Sequence, residues 1–370
     1  MSSPVKKTLP WEMAPAIFAL AWPTMLEQLM QTAVQYIDTA MVGSLGTHAT
    51  AAVGATTTIG WLLGSSITAL GVGFLSFIAQ AYGAGDNHTT TLMLARSVMV
   101  ALVVGLLMLI LQRPIGEAAI KIMNGGEQVA EYFYARIWAV PAGVLLFALN
   151  GWLTGMQNAI IPMIVAIVVN VIHIACSLWF AFPLGMGIVG IAYASVVAQW
   201  TGVVITAAIT WWHYGKRLVR ISWREVMDMQ AMRAFFVINR DIIIRTLCLV
   251  ATYTFFTAAS ARMDDPTILA VNTILMELFT LFSYMTDGFA YATEALTGRF
   301  IGAKDLPSLK KCLRYCVVWT FATAIIAITA YLAGWEWLFS FFLGNSSEQE
   351  LATVLTTLTL KTPIRYQVRH

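Results

Sequence analysis

Pro23-Thr-Met-Leu-Glu27-Gln-Leu-Met-Gln31-Thr-Ala-Val-Gln-Tyr36-Ile-Asp38-Thr-Ala-Met-Val-Gly43 is an apolar run that carries two carboxylates. Glu27, Gln31 and Asp38 stand at i, i+4 and i+11. At about 100° per residue they share one face of a helix, within about 60° of arc. Pro23 lies at the edge of that face. An ionised carboxylate in hydrocarbon costs ~2.5–3.5 kcal/mol even on insertion scales. The face containing Asp38 is therefore expected to line a polar interior, with an interhelical hydrogen-bonding face as the plainer alternative.

The rest of the chain supports a membrane setting for this helix. Of 370 residues, 59% are hydrophobic and 11% charged, with mean hydropathy +0.73. A soluble domain carries about 25% charge. The expectation is an all-α polytopic membrane protein. The net charge of +3 gives no reason to expect nucleic acid as a partner. Cys176, Cys248, Cys312 and Cys316 lie in or beside apolar segments and read as small buried thiols. Cys312 and Cys316 are one turn apart, but no further His or Cys completes a metal site, and neither metal nor cofactor is expected. No cleavable apolar region precedes Trp11, so the first helix reads as a retained span.

Segments able to span occur at about 15–43, 51–82, 92–112, 131–152, 159–182, 187–212, 233–261, 267–297 and 313–335. Turn chemistry separates them, as in Gly83-Ala-Gly-Asp86, Asn124-Gly-Gly126, Asp264-Asp-Pro266 and Gly302-Ala-Lys-Asp305. The polar stretch 214–232 reads as a cytoplasmic linker between an N-terminal lobe, 1–213, and a C-terminal lobe, 233–370. With the N-terminus inside, thirteen basic residues fall on inner loops and helix ends, against Arg113, Lys121, Arg136 and Arg262 outside. That bias favours a cytoplasmic N-terminus.

A shift of 218 residues reveals an internal repeat. Thr39-Ala40 falls on Thr257-Ala258, and Ala52-Val53 on Ala270-Val271. The loop Gly83-Ala-Gly-Asp86 falls, with a slip of one, on Gly302-Ala-Lys-Asp305. The shift spans six helices, an even number, so the two halves run parallel. By the same arithmetic the second half is expected to lack its end, keeping about three of six spans, with a short basic tail from Leu358 to His370.

Several motifs in order resemble the multidrug and toxic-compound extrusion (MATE) transporters. They are Tyr36-Ile-Asp38-Thr-Ala-Met-Val-Gly43, Ala51-Ala-Val-Gly54, Gly151-Trp-Leu-Thr-Gly155 with Pro162, and Gly185-Met-Gly187-Ile-Val-Gly190. Asn239-Arg-Asp-Ile242 and Asp287-Gly-Phe-Ala-Tyr-Ala-Thr-Glu294 look like the DinF-like branch. The resemblance implies two six-helix lobes around a cavity. It also implies export of organic, often cationic, compounds in exchange for Na⁺ or H⁺ across a bacterial inner membrane. Asp38 matches the family's first-helix coupling acid; Gln31 and Pro23 match cavity positions, beside Glu27 and Tyr36. Where the family often reads Asn-x-x-Asn-x-x-x-Asp in its fifth helix, this chain has Asn170, His173 and Ser177. An oxygen cage for Na⁺ has thus lost a carboxylate and an amide. Imidazole titrates near physiological pH, which favours H⁺; a structural hydrogen bond is the plainer role for His173.

In the second half, Glu277, Thr280, Tyr284, Asp287, Tyr291 and Glu294 form one helical stripe. Rings interleaved with carboxylates suit an amphipathic cation, while a polar lobe interface is the bland reading. Asp241 and Arg245, one turn apart, read as an ion pair or a gate. Two other functions fit parts of the chain. An intramembrane aspartyl protease would use the Gly83-Ala-Gly-Asp86 pattern with Asp38. That chemistry needs two carboxylates close enough to share a proton, and these are expected most of a membrane apart, Asp38 toward the outer end of the first helix and Asp86 in a cytoplasmic loop after the second. A lipid-linked-precursor flippase of related fold would need cations facing phosphate, whereas the embedded face here is acidic. An inactive truncated fragment is the third reading.

Overall fold

The structure, a computed structural model, describes residues 13–45, 74–122, 127–261 and 266–343. The expected span before Phe74, the Asn124-Gly-Gly126 and Asp264-Asp265 breaks, and the tail from 344 lie outside the described residues. Those described are mostly helical, with no strand among them. The helices are α1 (Met13–Ser44), α2 (Phe74–Ala84), α3 (Asn87–Ile110), α4 (Gln112–Ile122) and α5 (Glu127–Arg136). A 3₁₀ turn, Ile137–Ala139, joins α5 to α6 (Val140–Gly155). Next come α7 (Ile160–Ala181), α8 (Gly187–Tyr214), the short α9 (Trp223–Val226), α10 (Met229–Ala261), α11 (Pro266–Gly302) and α12 (Leu306–Leu343).

Among the described residues, five segments are long and apolar enough to cross a membrane: Asn87–Ile110, Val129–Gly155, Ile160–Ala181, Gly187–Tyr214 and Leu306–Gly334. The helices α1, α10 and α11 are 32, 33 and 37 residues long. Side chains sort in the sense a bilayer demands. Val103, Leu106, Val171, Val204 and Trp212 point outward, Trp212 with 90% of its surface exposed. Thr90, Ser97, Asn170, His173, Ser177, Ser195, Thr206 and Thr210 point inward. In water the first set would collapse inward; in lipid the polar groups must find partners inside the protein. Many find them on their own helix. Thr24 donates to Leu20 O at 2.9 Å, Thr39 to Gln35 O at 2.9 Å and Thr206 to Gly202 O at 2.8 Å.

The described residues fall into two compact units, one within Met1–Leu247 and Gly288–Cys316, the other within Cys248–Asp287 and Val317–His370. In the first, α8 packs on α7, α6 and α5, α3 on α6, and α1 on α7. The α9 turn is held to α3 by Arg96, which donates to Glu225 O at 2.7 Å, and by His88, 2.8 Å from the Glu225 carboxylate. In the second unit the Tyr331 hydroxyl donates to Leu278 O at 2.6 Å, and Tyr253 meets Phe279 edge-on with ring centroids 6.1 Å apart.

The repeat is visible as two turns of the same build. After α2, Gly85 takes φ +71°, Asp86 N–H returns to Ala81 O at 3.0 Å, and the Asp86 carboxylate caps α3 at Thr89 N, 3.0 Å. After α11, Lys304 takes φ +55°, Asp305 N–H returns to Phe300 O at 2.9 Å, and the Asp305 carboxylate caps α12 at Ser308 N, 3.1 Å. The two helix ends also meet each other, both within the first unit. A Cβ on Gly83 would fall 1.9 Å from Arg299 O, and one on Gly302 would fall 1.9 Å from Gln80 O. Ser76 donates a short hydrogen bond to the Glu294 carboxylate, across the repeat interval of 218 residues.

All four cysteines are free. Cys312 and Cys316 are buried, Sγ to Sγ 3.9 Å. Cys248 is exposed on α10 and Cys176 half-buried, which corrects the expectation of four buried thiols. An apolar sequence context does not distinguish a lipid-facing side from a protein-facing one.

Candidate functional site

Asn170, His173 and Ser177 recur on α7 at three- and four-residue steps, so they share one face. All three are buried where α7 meets α1 and α8. Asp38, on the last third of α1, faces them with its side chain 14% exposed. Its Oδ1 stands 3.7 Å from His173 Nδ1. The other ring nitrogen, Nε2, is 3.0 Å from Ser195 Oγ on α8. Ser195 Oγ accepts from Arg136, at the end of α5, at 2.7 Å. The same Arg136 nitrogen donates to the Tyr132 hydroxyl at 3.0 Å, with the guanidinium 5.8 Å over that ring. The result is a continuous line, Asp38–His173–Ser195–Arg136–Tyr132, drawn from four helices. Arg136 interacts electrostatically with Asp38 but forms no direct ion pair with it.

Three buried polar atoms here have no hydrogen-bond partner among the described residues: Asp38 Oδ1, Asn170 Nδ2 and Ser177 Oγ. Such groups are uncommon in folded proteins and mark strain or function. Asp38 Oδ1 comes from α1, and Asn170 Nδ2 and Ser177 Oγ come from α7, on either side of His173 along that helix. The carboxylate oxygen is an acceptor without a donor, so this is a place where a proton or a cation can be taken up. Among the described residues no three His, Cys, Asp or Glu gather as a metal cluster.

The other singled-out residues lie apart from this line. Pro23 is buried in the first half of α1, and Gln31 and Tyr36 are exposed on that helix. Glu27 accepts from Asn150 Nδ2 of α6 at 3.2 Å. On α11, Tyr284 and Asp287 are half-buried in the second unit, while Tyr291 and Glu294 belong to the first; the side chain of Glu277 lies outside the described set. Asp241 pairs with its neighbour Arg240, Nε to Oδ1 3.3 Å, both exposed, rather than one turn along with Arg245. A cavity of about 400 Å³, lined by Tyr82, Gln157, His213, Tyr214 and Arg217 among others, lies at the opposite ends of α7 and α8 and contains no carboxylate. Asp86, capping α3, is one of the fully engaged acids and is no partner for Asp38.

Arg136, Ser195 and Tyr132 went unread in the sequence. Arg136 counted there as an outer-loop cation, yet it ends α5 inside the continuous span Val129–Gly155. A half-buried arginine within an apolar span is a signal in its own right.

A family model described as MatE matches residues 23–179 and 242–363, well over half of the chain. The DNA damage-inducible protein F of Escherichia coli (strain K12) is 30% identical over 349 residues, which cover 91% of this chain and 74% of that protein. The chain belongs to the multidrug and toxic-compound extrusion (MATE) family. A Deinococcus radiodurans protein named "Probable multidrug resistance protein NorM" is 26% identical over 325 residues, 84% of this chain and 71% of its own length. Among solved structures, a MOP superfamily transporter from Pyrococcus furiosus superposes with TM-score 0.81 at 22% identity, over 92% of this chain and 76% of that one. An outward-facing MATE family transporter gives TM-score 0.82 at 21% identity, over 92% and 77%. Those two likenesses are of fold. MATE proteins are multi-pass membrane transporters, a family of exporters working by antiport and not of enzymes.

Proposed function

We propose that this MATE protein is an H⁺-coupled antiporter that exports organic compounds of amphipathic or cationic character by alternating access. The observation that carries the reading is Asp38 Oδ1: a buried carboxylate oxygen without a donor, 3.7 Å from His173. A proton on that oxygen removes a charge from a low-dielectric site. It thereby changes the relative stability of two helix packings, which is what a coupling ion must do. His173 bridges Asp38 to Ser195, while Asn170 and Ser177 line the same place. Pro23, Glu27, Gln31 and Tyr36 on α1 form the first-lobe solute face. Tyr284, Asp287, Tyr291 and Glu294 on α11 supply rings and carboxylates for a cation. Asp241 and Arg245 stand as the gate candidates on α10.

The proposed division is an N-terminal lobe over 1–213, a cytoplasmic linker over 214–232 and a C-terminal lobe over 233–370. The protein would lie in a bacterial inner membrane with its N-terminus inside, as the basic residues favour. Asp38→Asn keeps the volume and loses the titration. In inside-out vesicles this variant is expected to insert normally and to lose pH-driven efflux. Normal pH-driven efflux by Asp38→Asn overturns the assignment.

A further inference from the structure

We propose that Arg136 is the ion-specificity residue of the Asp38 site: a tethered cation that stands in for a metal ion and leaves H⁺ as the coupling ion. The inference deepens the proposed function and rests on Asp38 being its coupling acid. Among the described residues, the charged or titratable groups facing the site come from three helices. Asp38 comes from α1, His173 from α7, and Arg136 and Tyr132 from α5; α8 contributes Ser195, which is uncharged. With Asp38 ionised, the carboxylate and the guanidinium balance.

Two features then work against Na⁺. The first is the donor set. A sodium ion needs several oxygens at once. Ser195 Oγ accepts from Arg136 at 2.7 Å, lies 3.0 Å from His173 Nε2 and donates to Ile191 O at 3.2 Å. A hydroxyl has one hydrogen and two lone pairs, so this oxygen is fully engaged. The Tyr132 hydroxyl likewise receives Arg136 at 3.0 Å. The second is the field, since a further cation beside a half-buried guanidinium is repelled. A proton meets the same repulsion, but an O–H bond on the free Asp38 Oδ1 holds it and no coordination shell is required. Arg136 cannot release its own charge, so the exclusion holds at any working pH.

Thermal unfolding of the purified 370-residue chain tests this, in about 100 mM NaCl against about 100 mM choline chloride at one pH. The unaltered protein and Ser177→Asp are expected to melt alike in both salts, because the added carboxylate does not remove the guanidinium. Arg136→Gln with Ser177→Asp is expected to melt about 2 °C or more higher in Na⁺, and Asp38→Asn on that background abolishes the shift. Arg136→Lys with Ser177→Asp keeps the charge and is expected to show none. A Na⁺-specific, Asp38-dependent shift in the unaltered protein or in Ser177→Asp overturns the proposal. So does a folded Arg136→Gln, Ser177→Asp variant without a shift. If the Gln variants do not fold, the unaltered and Ser177→Asp arms decide alone. None of these arms reads efflux, so pH-driven efflux by Asp38→Asn would refute the coupling role of Asp38 separately.

Discussion

Asp86 engages both carboxylate oxygens with Thr89. Oδ1 takes the amide N–H at 3.0 Å and Oδ2 the hydroxyl at 2.5 Å. The Thr89 hydroxyl bond first, then the Thr89 amide, hold its pKa below the ordinary carboxylate value of 3.8. A depressed folded-state pKa contributes stability that is present above the ordinary value and lost as pH falls through the folded one. Asp86→Ala is therefore expected to lower stability by about 1 kcal/mol at neutral pH. The difference from the unaltered protein should shrink as pH falls below about 4, read by thermal melting in detergent at a series of pH values. An unchanged difference down to that range would deny the cap its role. This residue was legible in the sequence because a Gly-Asp turn before a helix carries its own chemistry. Arg136 was not, because its partners Tyr132 and Ser195 lie one turn back and 59 residues on.

Close approach of α2 and the end of α11 depends on two glycines that meet backbone, not movable side chains. The carbonyls of Arg299 and Gln80 each lie 1.9 Å from where a Cβ would stand. Alanine at either position must part the helices and strain the Ser76–Glu294 hydrogen bond between them. Gly83→Ala and Gly302→Ala are each expected to cost about 1–3 kcal/mol, as overpacking does. The double variant should cost less than the sum, because the first separation makes room for the second. Reversible unfolding in mixed micelles measures all three. Strict additivity would show that the two glycines do not share one crossing. The repeat offset was readable in the chain, and so were the paired turns; that the two copies pack on each other was not, since a repeat says nothing of contact between its copies.

For the whole molecule, the coupling ion is the property that separates readings. If the Asp38 line carries protons, a pH gradient alone should drive solute efflux from vesicles, and a Na⁺ gradient alone should drive none above background. Na⁺-driven efflux at constant pH, without a proton effect, would reverse the assignment. The proposed lobes, the proposed solute faces on α1 and α11 and the proposed ion site would then need to be reread together, because coupling requires that ion and solute act on the same two packings.

Membrane residence, an all-α fold, the turns at Asp86 and Asp305 and the inward placing of Asp38 were set by the sequence itself. Each rests on local chemistry: apolar length, helical period, capping side chains, or a carboxylate too costly to leave in lipid. The α7 face of Asn170, His173 and Ser177 was equally plain, since 3.6-residue periodicity names the members of a face. What it cannot name is the helix that the face meets. Only the tertiary structure brought α5 and α8 to that face, placing Arg136 and Ser195 beside an acid about a hundred residues or more away along the chain. Helix packing is chosen by the fit of side-chain surfaces across the whole bundle. That choice turned a cation counted on the outside into the charge that faces Asp38.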